Sequence, residues 1–366
     1  MSRNKIRIGI SQGDINGIGY EVIMKTLLDA RILEMCTPVV YGSPKVAAYH
    51  RKALNLTNFN FNNIQSAREA DPRRANIINC IDDNIRVELG KSSGIAGEAS
   101  YMALERAVSD LKAGEIDALI TAPINKDNIQ SDKFHFPGHT EFLAEQFGAE
   151  NYLMLMVSEM MKIGVVTTHV PLAKVSSLIT KEAILSKLRI MDSSLEKDFS
   201  IKKPRIAVLG LNPHAGDGGL LGTEEKDIII PAIEQAKKEG ILALGPYPSD
   251  GFFGSGDYVK FDAILAMYHD QGLTPFKLAS FDKGVNYTAG LPFIRTSPAH
   301  GTAFDIAGED KASPDSFRQA LYLAIDVHKS RELYKEINKN PLRKFEINPN
   351  QVDENIDLQS ADEPEI

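Results

Sequence analysis

Eight histidines are spread over 366 residues, and three of them share one setting. His169 follows the apolar run KIGVVTT, His214 follows IAVLGLNP and His269 follows FDAILAMY. Each reads as a strand, a histidine and then a turn. A single histidine in such a place is more simply a strand-capping residue. Three repeats of the context favour a shared task, because open α/β sheets bind ligands beyond the carboxyl ends of their strands. Three neutral imidazoles make a good donor set for a divalent transition metal and leave coordination positions open for a substrate. The donor type suits zinc, cobalt or nickel and suits magnesium poorly. Around His214 the stretch LNPHAGDGG pairs a proline with Gly216, Gly218 and Gly219, which let the backbone come close to a ligand. His50 and His328 lie in helical patterns among polar neighbours and read as solvent-facing.

A second group suits an anion. PGHTEFLAEQF reads as a helix start, with Thr140 as a candidate cap and His139 beside it, and helix starts favour anions. Lys277 and Arg295 lie in the apolar contexts TPFKLAS and LPFIRTS. With Asn286 they could clamp a doubly anionic small molecule; taken singly they would be solvated surface. GDINGIGYE lies between a strand and a helix but matches neither G-x-G-x-x-G nor the phosphate-loop pattern. SPAHGTAFDIAG admits two readings. Either Gly301, Thr302 and Ala303 turn backbone amides to the anionic part of an adenosine nucleotide while Asp305 takes its ribose hydroxyls, or the loop caps a helix.

These groups need a frame to bring them together. Short apolar runs such as IRIGIS, TPVVYGS, IDALITAP, YLMLMVS and GVNYTAGLPF alternate with helical patterns such as YEVIMKTLLDA and DSFRQALYLAIDVHKS. That alternation implies an α/β protein with a largely parallel sheet. The length, with 43% hydrophobic and 25% charged residues, favours two lobes around a cleft. Net charge is −8, with 41 Lys and Arg against 49 Asp and Glu, and no basic run interleaves with aromatics, so no nucleic-acid partner is expected. An acidic chain that binds an anion must concentrate its positive groups locally. Cys36 and Cys80 form no C-x-x-C pair, which speaks against a disulfide framework or a cysteine zinc site. No stretch has the length of a membrane span or a signal-peptide core, so a cytoplasmic location is expected. Residues 55–86 read as a polar surface excursion, and the acidic tail 346–366 as a solvated end.

The stretches GDINGIGYE, TAPINKDNI, FPGHTEFLAE, TTHVPL, LNPHAGDGGLLGTEE, GPYPSDGFF, MYHDQGLTPFKL and GVNYTAGLPFIRTSPAHGTAFDIAG stand in an order that resembles the 4-hydroxythreonine-4-phosphate dehydrogenase family of pyridoxal phosphate biosynthesis. That family is similar in fold to isocitrate and isopropylmalate dehydrogenases. The resemblance implies two α/β/α lobes around a cleft, expected here as residues 1–127 with 285–345 and residues 128–284. It implies metal-assisted oxidation of 4-phosphohydroxy-L-threonine by NAD or NADP, then loss of carbon dioxide to give 3-amino-2-oxopropyl phosphate. It implies that His169, His214 and His269 bind the metal, and that His139, Thr140, Lys277, Asn286 and Arg295 hold the substrate. HGTAFDIAG is similar to the dinucleotide site of the wider fold group, which favours the nucleotide reading of Gly301, Thr302, Ala303 and Asp305. The family is a homodimer with its active site at the subunit boundary, to which the MYHDQG histidine comes from the partner.

Two departures stand out. The family start GDPAGIGPE is GDINGIGYE here, without its two prolines, so a looser first loop is expected, and Asp217 replaces a glutamate. Asp250 and Asp270 are candidates for the proton acceptor, and each is equally a candidate for orienting a histidine. Three alternatives remain open at this stage: a related dehydrogenase of an erythronate or threonate 4-phosphate, a hydrolase with a metal-activated water, and a non-catalytic binding module.

Overall fold

The computed structural model describes residues 5–82 and 85–341. The acidic tail lies outside the described residues. Twelve strands are described: β1 Ile6–Ser11, β2 Cys36–Gly42, β3 Asn62–Ile64, β4 Asn76–Asn79, β5 Ala118–Thr121, β6 Leu153–Val157, β7 Lys162–Val165, β8 Arg205–Leu209, β9 Leu242–Tyr247, β10 Ala263–Ala266, β11 Val285–Ala289 and β12 Ile294–Pro298. They form one mixed sheet in the order β3-β4-β2-β1-β5-β12-β11-β6-β7-β10-β8-β9. From β3 to β12 every pairing is parallel, as is every pairing from β7 to β9. Between these halves β11 runs antiparallel to β12 and β6, and β6 runs antiparallel to β7. The two halves therefore point in opposite directions. No described helix is long and apolar enough to cross a membrane.

Side chains alternate across a sheet with a period of two, and here the alternation decides where the cleft can lie. On one face a single apolar core runs the length of the sheet, through Ile8, Ile120, Ile294, Tyr287, Leu155, Val208 and Leu265, beneath the long helices Lys181–Lys197 and Asp315–Ile337. On the other face the core is broken into two blocks. One gathers Val39, Leu119 and Ile78 under the helix Gly94–Lys112. The other gathers Ile163, Val165 and Ile264 with Leu273 and Phe276 of the helix His269–Ser280. Between them the central strands turn Thr121, Met154, Asn286, Arg295 and Ser297 to an open cleft.

Three expectations are corrected. The excursion at residues 55–86 supplies β3 and β4, and Ile77 and Ile78 are buried, so this segment extends the sheet rather than leaving it. His50 is 1% exposed, not solvent-facing; its Nε2 lies 2.7 Å from the carbonyl of Ile15 and its ring against Tyr20. The first loop is tight rather than loose, for the residues that replace the family's usual ones make the contacts. Ile15, Asn16 and Tyr20 are all 0% exposed. Asn16 Nδ2 donates to Lys91 O and Ser93 Oγ, and its Oδ1 accepts from Glu88 N. Tyr20 donates to Gln12 Oε1 at 2.6 Å. The loop is thereby held against residues 301–308: Ile18 N donates to Thr302 O, and a Cβ on Gly17 would meet that carbonyl oxygen at 2.7 Å, so only glycine fits.

Candidate active site

The cleft over the central strands has a volume of about 270 Å³. Three walls surround its floor. The helix His269–Ser280 presents His269, Leu273 and Lys277, whose spacing of four residues places them on one face. The segment after β5 brings Pro123, Ile124 and Lys126, then Gly138, His139, Thr140 and Glu141 where the helix His139–Gln146 begins. The extension of β12 brings Pro298 to Gly301.

The floor holds the site's most informative residue. Arg295 is 3% exposed, and every partner of its guanidinium is a neutral hydroxyl. It donates to Thr121 Oγ1 at 2.8 Å, Thr288 Oγ1 at 3.2 Å and Thr140 Oγ1 at 3.4 Å. No described carboxylate forms an ion pair with it, and burial pushes its pKa down to about 10. A desolvated cation without a counter-ion is costly, and structures that keep one normally supply the anion as a ligand. Polar atoms without partners surround the same space: His139 Nε2, Asn286 Oδ1 and His300 Nε2 are buried and make no hydrogen bond. Burial, then the charges of Arg295 and Lys126, hold the His139 pKa well below the ordinary histidine value, so its ring is neutral. Burial and Lys126 lower the His169 pKa in the same way.

Among the residues expected from the sequence, His139, Thr140, His169, His269, Lys277, Asn286, Arg295 and Gly301 line this one cleft. The His169 and His269 rings stand 6.0 Å apart because β7 and β10 are neighbouring parallel strands, with Val165 beside Ala266 at their ends. His269 Nδ1 lies 2.6 Å from Asp270 Oδ1, which leaves Nε2 for another partner. His214 is not part of the lining, and no three described His, Cys, Asp or Glu side chains gather as a metal-binding group within the chain. The resemblance implied that His269 enters from a partner subunit; within the single chain it is His214 that stands apart. Asp250, exposed in the helix Ser249–Gly254, and Asp270 also lie outside the lining. Thr302, Ala303 and Asp305 continue from Gly301 along the loop packed on the first turn, with Ala303 left-handed at φ 42° and Asp305 exposed.

The histidine turn has its own anchor. His214, Ala215 and Asp217 all have positive φ, between 42° and 52°, each an uncommon conformation worth about 1–2 kcal/mol of strain. Buried Glu225 holds the turn in place: its Oε1 accepts from Leu211 N and Asn212 N at 2.7 Å, and its Oε2 from Asn212 Nδ2. The sequence reading missed Glu225, Lys126, Glu141 and His300. Lys126 and His300 stand within the quoted stretches TAPINKDNI and SPAHGTAFDIAG, and Glu141 directly follows Thr140, so proximity to the motifs was the available signal.

Comparison with known proteins places this geometry among relatives. Residues 34–324 match the family described as pyridoxal phosphate biosynthetic protein PdxA. The chain is 55% identical over 364 residues to a Bacteroides thetaiotaomicron protein named 4-hydroxythreonine-4-phosphate dehydrogenase, covering 99% of this chain and 100% of that one. It is 40% identical over 331 residues to an Oceanobacillus iheyensis protein provisionally named a D-threonate 4-phosphate dehydrogenase, covering 89% and 99%. The crystal structure of a 4-hydroxythreonine-4-phosphate dehydrogenase from Klebsiella pneumoniae is similar with a TM-score of 0.77 at 35% identity, covering 90% and 99%.

Proposed function

The chain belongs to the PdxA family, and from that premise we propose that it oxidises 4-phosphohydroxy-L-threonine with a nicotinamide cofactor and releases carbon dioxide, yielding 3-amino-2-oxopropyl phosphate. One observation carries the reading: a buried arginine without a carboxylate partner on the floor of a cleft whose walls carry Lys126 and Lys277. Such a cleft selects a small molecule with two anionic groups, as a phosphorylated hydroxy acid has.

Arg295 offers its charge and its remaining Nη2–H to one anionic group, and the three threonine hydroxyls, which take the other N–H donors, fix its orientation. Lys277 brings a mobile point charge from the helix wall. His139, held neutral, binds through a hydrogen bond rather than a charge, and Asn286 Oδ1 accepts one from a donor on the substrate. A bound nicotinamide would supply a hydride acceptor for the alcohol carbon, and a bound divalent ion would supply a Lewis acid for the alcohol oxygen. The donor chemistry fits both. Two imidazoles 6.0 Å apart, one oriented by Asp270, suit a zinc or cobalt ion, and His214 of a second subunit would complete the set in a homodimer. The exposed Asp305 carboxylate on a loop continuous with the cleft suits ribose hydroxyls. Oxidation removes a hydride and a proton, and the resulting 3-oxo acid loses carbon dioxide because the new carbonyl accepts the electrons of the breaking bond.

The relative bearing the threonate name supports a second reading, in which a hydroxyl replaces the substrate's amino group. Initial rates of NADH formation on 4-phosphohydroxythreonine, D-threonate 4-phosphate and erythronate 4-phosphate test both. A clear preference for the amino acid supports the first reading; a preference for a sugar acid overturns it; no turnover of any of the three rejects both.

A further inference from the structure

The charges lining the cleft are unequal in number and kind. Lys126, Lys277 and Arg295 are cations, and Glu141 is the one carboxylate among the described lining residues. Glu141 sits in the first turn of the helix His139–Gln146, half-buried. A carboxylate there often caps its helix, but the N-cap is Gly138 and no side-chain cap bond forms. Nor does Glu141 make a hydrogen bond or a salt bridge with any described residue, although its charge reaches both Arg295 and His169 and favours their protonated forms. Its Oε2 lies 3.5 Å from where a Cβ on Gly138 would stand, with Lys126 Cε 3.8 Å from the same point, and all three residues line the cleft.

On the function proposed above, the substrate carries a phosphate, a carboxylate and one ammonium. Three cations face the two anions. We propose that Glu141 receives the ammonium, and that it is the residue by which this site prefers an amino acid phosphate to the corresponding hydroxy acid phosphate. The carboxylate would accept charge-assisted hydrogen bonds from the amino group, whereas a hydroxyl in its place offers one neutral donor.

The test is Glu141→Gln, which keeps size and loses charge, with Glu141→Asp as the charge-retaining control and thermal melting to establish folding. Binding is read by calorimetry and turnover by NADH formation, both on 4-phosphohydroxythreonine and on D-threonate 4-phosphate. The expected result is a loss of about 10- to 100-fold in affinity and kcat/KM for the amino substrate, with the hydroxy substrate changed less than about threefold and Glu141→Asp partly restored. An equal loss on both substrates would overturn the assignment and leave Glu141 as a counter-ion for Arg295 or Lys126. An unchanged ratio would overturn it too. If wild-type protein binds neither compound, the proposed function itself fails, and that outcome is visible before any variant is made.

Discussion

Arg295 is buried and Arg331 largely so, and substituting each should have opposite consequences. Arg331 donates to Asp198 Oδ1 at 2.7 Å and to Tyr287 Oη at 3.1 Å, so its charge is neutralised within the fold. Replacing it by methionine strands the buried Asp198 carboxylate, which typically costs about 3–5 kcal/mol. Arg295 has no such partner. Its pKa falls from 12.5 to about 10, so keeping it charged costs the unliganded protein about 3 kcal/mol. Arg295→Met removes that cost but leaves Thr121, Thr288 and Thr140 without their donor, at about 1 kcal/mol each. The two terms nearly offset, and the stability of the unliganded variant should stay within about 1.5 kcal/mol of wild type. Substrate binding should suffer heavily, because a buried charge-assisted pair is lost: about 3 kcal/mol or more, at least ~100-fold in kcat/KM. Arg295→Lys keeps the charge without the fork and should fall between. Urea denaturation of both methionine variants and initial rates on the substrate measure the two effects. If Arg295→Met unfolds as readily as Arg331→Met, while the folded fraction keeps kcat/KM within tenfold of wild type, Arg295 is a structural residue and the anion site is misplaced.

Three further outcomes are expected. His50 is buried with its pKa lowered from 6.5 to about 4, so the unfolded chain takes up the proton first and stability falls as pH drops from about 6.5 towards 4, by up to about 3 kcal/mol; denaturation of His50→Gln, whose amide can still donate to Ile15 O, should show a shallower decline, and an identical one would acquit His50. Asp305→Ala should weaken NAD binding by about tenfold or more while leaving substrate affinity unchanged, since a hydrogen bond to a charged group is worth roughly 1.5–3 kcal/mol; unaltered NAD affinity by calorimetry would remove the loop from the cofactor site. Exhaustive chelation should abolish NADH formation and a divalent transition ion should restore it, whereas full activity of metal-free protein would refute the imidazole site.

Local chemistry was the legible part of this sequence. Each strand-end histidine could be read because an apolar run, an imidazole and a turn are contiguous. The same holds for the loop carrying Asp305. What escaped was set by contacts far apart in the chain. Burial of His50 depends on Ile15 and Tyr20, and no helical pattern around residue 50 shows it. β4 is a four-residue strand in a polar segment, recognisable only by its pairings with β2 and β3. The antiparallel centre of the sheet depends on β11 returning between β12 and β6, a pairing decided by the whole fold rather than by either strand. Arg295 was singled out for its apolar neighbours, but that its partners are three threonines and no carboxylate is a fact of four separate segments.

The same reasoning explains why three similar histidines have different positions. β7, β10 and β8 are adjacent and parallel, so their carboxyl ends, and the residues that follow, emerge side by side. His169 and His269 follow their strands by a few residues and meet. His214 follows Leu209 through a turn in which Glu225 takes up the backbone amides of Leu211 and Asn212, and the chain then runs through six consecutive positive-φ residues, 214–219. That turn leaves His214 exposed and away from its own cleft. Strain of this kind persists only where surrounding structure enforces it, and a buried glutamate spent on displaying an exposed histidine is hard to explain by the stability of one chain. It is economical if the imidazole is being presented to another subunit.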